Sequence, residues 1–243
     1  MTSVVDVFEK LDLKAPILIE GLPGTGFVAN IAALHFITEL KAKKFAEIRS
    51  PAFQDIVISA EGGTIRYPVN ELYYHRSSAK NDFIILYGNA QALTAHGQYE
   101  LYGKILGLAQ DFGCRLVACM GGLRRGKVVR SPRVYCTATD HETLNRVSKF
   151  NVKVLQGHVT GAAGLLVGLA KLKGMPGFCL LAETSGFYPD SAAAKAILEV
   201  LCKVLDVKVN LSRLDNAVKR TEEILKSFGF PSAFLKPEYS VFV

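Results

Sequence analysis

The sequence predicts an α/β fold, a mostly parallel sheet covered by helices on both faces, and three observations lead to it. The apolar runs Ile17-Leu18-Ile19, Phe83-Ile84-Ile85-Leu86, Leu116-Val117-Ala118-Cys119-Met120 and Phe178-Cys179-Leu180-Leu181-Ala182 are short and continuous, as in strands buried on both sides. Segments with apolar residues three and four apart alternate with them. Glycine, proline or a serine, threonine or aspartate marks the joints between the two kinds of segment. Strands and helices alternating in this way build a layered α/β domain.

Taken in order, Ala15–Glu20 reads as a strand entered through Pro16, and Phe27–Leu40 as a helix with Val28, Ile31, Ala32, Leu34 and Phe36 on one stripe. Ala46–Ile48, Asp55–Ile58 and Leu72–His75 are shorter strands in a hairpin-rich passage, punctuated by Ser50-Pro51 and Glu61-Gly62-Gly63. The run Phe83–Gly88 leads to a helix from Ala95 to Phe112, which Gly113 stops. The strand Arg115–Met120 ends in Gly121-Gly122. Val134–Ala138 follows, and Thr139 or Asp140 caps a short helix bearing Leu144 and Val147. A glycine-rich helix from Gly161 to Leu172, the strand Phe178–Ala182, a helix opened by Ser191 and running to Leu205, and a closing helix from Asn210 to Phe228 complete the pattern.

A glycine inside a helix costs about 0.8–1 kcal/mol relative to alanine. Gly161, Gly164 and Gly168 therefore point to something packed very close, either the sheet or a neighbouring subunit. No Pro/Ser-rich or low-complexity stretch divides the chain, so residues 1–229 are expected to form one domain and 230–243 a C-terminal tail.

Composition narrows the functional classes. The 243 residues are 49% hydrophobic and 21% charged, which suits one folded core rather than disorder. The longest uncharged apolar stretch, Val159 to Ala170, falls short of the roughly 20 residues a membrane span needs. The N-terminal MTSVVDVFEK lacks the basic and apolar regions of a secretory signal. Five cysteines without a CxxC pair, three of them in strand-like runs, behave as small hydrophobes. They point to a reducing cytoplasm, with no metal site expected. The net charge of +7 concentrates at Arg124, Arg125, Lys127, Arg130 and Arg133. That stretch lacks aromatic interleaving, so it reads as a solvated surface loop rather than a nucleic-acid interface.

Several motifs invite chemistry and fall short of it. Gly24, Gly26 and Ala29, between the first strand and first helix, meet a loose dinucleotide fingerprint, with Glu47 near the spacing of a ribose ligand. The inserted Gly21-Leu22-Pro23 spoils the tight turn that fingerprint needs. Phe27 and Val28 stand where a P-loop requires Lys and Ser or Thr. No GxSxG elbow occurs, and none of the five histidines pairs with another at metal spacing. His96 and Gln91 follow the strand ending at Gly88. Glu183 and Asp190 follow the last strand, where open sheets hold ligands, although Asp190 or Ser191 is an equally good helix cap. Gly24, Gly26, Gln91, His96 and Glu183 are thus the candidate pocket residues, with no cofactor implied.

The tail departs from everything before it. Pro231 and Pro237 forbid a continued helix, yet the segment ends Val241-Phe242-Val243. Such an end either docks on its own domain or inserts into another protein, where an aromatic ring and a free carboxylate form a recognised capture mode.

Six segments in this order, Ile-Glu-Gly-Leu-Pro-Gly-Thr-Gly (19–26), Leu-Tyr-Gly-Asn-Ala-Gln (86–91), Met-Gly-Gly (120–122), Thr-Gly-Ala-Ala-Gly-Leu-Leu (160–166), Glu-Thr-Ser-Gly (183–186) and Tyr-Pro-Asp-Ser-Ala-Ala (188–193), resemble the PAC2 family, archaeal relatives of proteasome assembly chaperones. The resemblance implies a three-layer α/β sandwich with a mostly parallel mixed sheet, phosphorylase- or hydrolase-like. It also implies homo-oligomers and binding to proteasome α-subunits or another α/β chaperone subunit. Some members carry a C-terminal hydrophobic–tyrosine–any motif that enters pockets between α subunits. Here Val241 matches the hydrophobic place, Phe242 stands in the tyrosine place and Val243 ends the motif. The expectation is a non-catalytic chaperone or adaptor of the 20S α-ring. The alternative is a nucleotide- or nucleoside-dependent enzyme, as an ATP-grasp-type ligase label for such proteins suggests, although paired magnesium carboxylates and nucleotide lysines are missing from the sequence.

Overall fold

Hydrogen-bonded strand pairing sets the frame on which everything else is placed. The computed structural model describes residues 2–217 apart from positions 60, 79, 128 and 130. In chain order its elements begin with β1 (Val4–Val7), β2 (Ile17–Gly21), α1 (Val28–Leu40) and β3 (Lys43–Arg49). A small pair, β4 (Ile58–Ser59) and β5 (Ile65–Arg66), precedes β6 (Asn70–His75), β7 (Phe83–Gly88) and α2 (Ala95–Asp111). Then come β8 (Leu116–Arg124), β9 (Val134–Ala138), α3 (His141–Ser148), β10 (Lys153–Val154), α4 (Gly161–Leu172), β11 (Gly177–Thr184) and α5 (Ser191–Leu205). Residues 212–217 are again helical, and the rest of the expected closing helix and the tail lie outside the described residues.

Nine strands form one mixed sheet in the order β1-β3-β6-β7-β2-β8-β11-β9-β10. Its centre, β7-β2-β8-β11, is parallel. β6, β3 and β1 extend it antiparallel on one side, and β9 joins β11 antiparallel on the other. The connections explain the division. Residues 76–82 are too few for a helical crossover, so β6 and β7 form a hairpin, whereas α2 carries the chain from β7 to a parallel β8.

Every residue of β2 and β11 is buried, as continuous apolar runs demand. Alternate side chains serve opposite layers. Ile17 and Ile19 face the core under α1 and α5, and Leu18 faces the core under α2 and α4. The three-layer α/β sandwich follows. Phe36 on α1 meets Phe83 edge-on at 5.6 Å, and Phe112 beyond α2 meets Phe45 at 5.4 Å, one aromatic pair on each side of the sheet.

Element ends depart from the sequence reading for identifiable reasons. β8 does not stop at Gly121-Gly122 but continues to Arg124, because β11 pairs with it residue for residue through Thr184. The expected strand Asp55–Ile58 shrinks to Ile58–Ser59, whose partner β5 offers two residues. Ile56 and Val57 are left half exposed. The five cysteines carry no disulfide, and burial pushes the thiols of Cys114, Cys136 and Cys202 up to about 12. Among the described residues no helix is long and apolar enough to cross a membrane.

Candidate functional site

The carboxyl ends of β2, β8 and β11 finish on one edge, and glycines bring the connecting loop down onto it. A Cβ at Gly21 would collide with that of Ala33 on α1, so glycine is what lets α1 lie close to β2. Beyond it, residues Thr25–Phe27 form a single 3₁₀ turn with Gly26 at φ 64°, a left-handed conformation. A Cβ at Gly122 would strike the Thr25 carbonyl carbon at 3.1 Å and the Thr184 methyl at 2.8 Å, so β8 runs through this point because residue 122 has no side chain. Gly122→Ala is expected to cost about 1–2 kcal/mol through overpacking. Thermal unfolding checks it, and an unchanged midpoint would show that the loop is not held against the strand.

A cavity of about 280 Å³ opens at this edge. Its floor is Glu20, 1% exposed. The Leu22 N–H donates to Glu20 Oε1 at 2.7 Å and the Met120 N–H to Oε2 at 3.3 Å. Burial nevertheless prevails over these two bonds and pushes the carboxyl up to about 7. One wall is the N-terminus of α4, where the Thr160 side chain makes no capping bond. Gln91 takes that role. Its Oε1 accepts from the Ala162 N–H at 3.2 Å and from the Tyr102 hydroxyl at 3.2 Å, and its Nε2 donates to the Pro23 carbonyl. One amide thus ties the glycine-rich loop, α2 and α4 together. Arg124 and His158, both exposed, complete the rim.

A second polar cluster lies on β11 and fixes the β8–β9 connection. Glu183, 4% exposed, accepts from Arg125 Nε at 3.0 Å, from Arg133 Nε at 3.1 Å and from the Tyr135 hydroxyl at 3.1 Å. Burial by itself would raise its pKa. The bonds from Arg133, Arg125 and Tyr135 overcome that and hold the carboxyl at about 2. Arg124 lies over the Phe187 ring at 4.7 Å. The basic stretch is therefore not the freely solvated loop expected from sequence. Arg125 and Arg133 are bound to a buried acid 58 and 50 residues away, Lys127 is exposed, and Arg130 lies outside the described residues.

Because the Glu183 carboxyl is depressed, its stabilisation is present above the unfolded value near 4.5 and is lost as pH falls towards 2. Both arginines reach solvent and rehydrate when the acid is removed. Glu183→Gln is accordingly expected to cost about 1–2 kcal/mol at pH 7 and almost nothing at pH 2. Calorimetry at the two pH values checks it.

Of the five candidate pocket residues, the structure brings Gly24 and Gln91 to the cavity. Gly26 packs beside the Thr184 side chain, His96 is exposed on the first turn of α2, and Glu183 belongs to the arginine cluster; none of these three lines the cavity. Asp190 caps α5 by accepting from the Ala193 N–H at 2.9 Å, so it shares no pocket with Glu183. Glu47 sits on β3, which β6 and β7 separate from β2, so it does not meet the Gly24–Gly26 loop as a ribose ligand must. Sequence reasoning missed Glu20. Its signal was an acid closing an otherwise apolar, doubly buried strand. Among the described residues no three of His, Cys, Asp and Glu are grouped to hold a metal ion.

These features define a three-layer α/β scaffold with a small, carboxyl-floored cavity at the carboxyl edge of its parallel strands. The chain belongs to the PAC2 family, whose model matches residues 18–228. It is 36% identical over 216 residues to the uncharacterized protein MJ1210 of Methanocaldococcus jannaschii, covering 88% of this chain and 83% of that one. Among solved structures it is similar to Pyrococcus furiosus PbaB, an archaeal proteasome activator, with 38% identity, a TM-score of 0.87 and coverage of 94% and 99% of the two chains. It is also similar to Pyrococcus furiosus PbaA, an archaeal homolog of proteasome-assembly chaperone, with 26% identity, a TM-score of 0.79 and coverage of 93% and 91%.

Proposed function

We propose that this chain is a non-catalytic chaperone or adaptor of the proteasome. In this reading it binds the α-ring of the 20S particle, partly through Val241-Phe242-Val243. The observation that carries the reading is the end-to-end likeness to PbaB, 38% identical with a TM-score of 0.87. The polar groups at the carboxyl edge support it. Gln91, Glu183 and Asp190, which the sequence offered as chemistry, are engaged in fastening loops and helix ends.

The tail residues lie outside the described residues, and their role rests on their chemistry. Burying one phenylalanine contributes roughly 1.5–3 kcal/mol, far too little for a stable complex alone. A homo-oligomer presenting several tails at once raises avidity about 10²–10⁴-fold. Self-association is thus part of the proposed mechanism. The test is gel filtration of the full chain with purified archaeal 20S particles: co-elution supports the reading, and separate peaks at micromolar concentrations oppose it.

A further inference from the structure

The chain between β3 and β6 forms a short arm whose apolar side chains the domain does not cover. Its strands β4 and β5 make a two-stranded sheet of their own, separate from the nine-stranded one. Two strands of this length are marginal in water unless they pack against something. Yet Ile56, Val57, Ile65 and Tyr67 are 54%, 52%, 59% and 62% exposed. Ser59 lies opposite Ile65 and Ile58 opposite Arg66. Extended by one residue, that register sets Val57 against Tyr67, and both share one face of the arm with Ile65.

The root of the arm is fixed. Phe53 is buried in the core on the α2 side of the sheet, and the Leu93 N–H donates to the Ala52 carbonyl at 2.9 Å. Leu93 is itself 62% exposed and continues the apolar surface at that root. The four arm side chains expose roughly 500 Å², within the 300–600 Å² of the largest patch on an ordinary monomer, which is often a functional one. Two such arms laid together remove on the order of 1,000 Å² from water, the size at which specific protein interfaces begin.

Charge selects the occupant. Asp55 and Arg66, both exposed, place opposite charges on the same arm. A surface holding both signs meets a copy of itself without the repulsion of like charges, and a two-fold axis repeats every contact it makes. We propose that this arm is a self-association surface, seated against the same arm of a second copy of the chain. The proposal rests on the reading above, in which several tails act together, and names the surface that joins the subunits carrying them.

The test is sedimentation velocity of the full chain alone, over a dilution series at micromolar concentrations. The wild type is expected to sediment as a dimer or as a larger assembly built from dimers. Replacing Val57, Ile65 and Tyr67 together by serine is expected to raise the dissociation constant at least tenfold, about 1.4 kcal/mol or more. Arg66→Asp keeps every apolar side chain and leaves the arm with one sign of charge. It is expected to weaken association several-fold, with recovery at high salt. Leu172→Ser, at a leucine 82% exposed on α4, is the control and is expected to change nothing. A monomeric wild-type chain, association unchanged in either arm variant, or an equal loss in the control overturns the proposal. Gel filtration of the wild type with 20S particles tests the proteasome reading separately: an oligomer that ignores the particles fails that reading and leaves the arm standing.

Discussion

Glu20→Gln is expected to stabilise the chain by about 2–3 kcal/mol at pH 8 and by almost nothing at pH 4.5. The carboxyl titrates at about 7 in the folded protein and near 4.5 when exposed. Between those values the folded state keeps a proton that the unfolded state releases. Stability therefore falls as pH rises from 4.5 to 7 and stays low above it. A difference of about 2.5 pKa units at 1.36 kcal/mol each comes to roughly 3 kcal/mol. Loss of the 3.3 Å bond from the Met120 N–H takes back part of that. At roughly 2–4 °C per kcal/mol for a chain of this size, the midpoint at pH 8 is expected to rise by about 4–12 °C. Calorimetry across pH 4.5–8 checks it, and a shift of equal size at every pH would mean that Glu20 is already ionised throughout.

Glu183 behaves in the opposite sense. The two buried acids of one sheet edge divide the pH axis, Glu20 governing the range from 4.5 to 7 and Glu183 the range below. The difference lies in the company each keeps. Glu183 has two guanidinium groups and a phenol, whereas Glu20 has two backbone N–H groups.

Removing Val241-Phe242-Val243 is expected to abolish co-elution with 20S particles while leaving the mass of the oligomer unchanged. In the proposed mechanism each tail contributes too little to bind singly and several act together, so losing all of them is expected to remove more than about a hundredfold in apparent affinity. Phe242→Tyr is expected to act the other way. A phenolic hydroxyl adds a hydrogen bond worth about 1 kcal/mol per tail, which multiplies across the oligomer. Gel filtration coupled to light scattering reads both the complex and the oligomer. Retained co-elution after the deletion would move the contact elsewhere on the domain.

The central strands were legible because burial on both faces leaves a local mark: Ile17–Ile19, Leu116–Met120 and Phe178–Ala182 are continuous apolar runs of strand length. Helix caps were legible for the same reason. Asp140 and Asp190 each accept from an N–H three residues on. What escaped was set by pairing between distant segments. β8 extends through Gly121-Gly122 because β11 lies beside it, and β9 runs antiparallel to β11, as no local pattern announces. The site divided along the same line. Gln91 and Gly24 were found from their place after strands. Glu20 was read as the end of a strand, and only the packing of Tyr102, Cys119 and Cys179 around it gives it an unusual carboxyl. His96 was placed at the right edge, but its position on α2 turns it to solvent.

The proposed partnership is tested most directly by electron microscopy of 20S particles mixed with excess full-length chain. Extra density capping the ends of the cylinder, absent with the chain lacking residues 241–243, is the expected image. Bare cylinder ends with the full chain at saturating concentration would contradict a role at the α-ring.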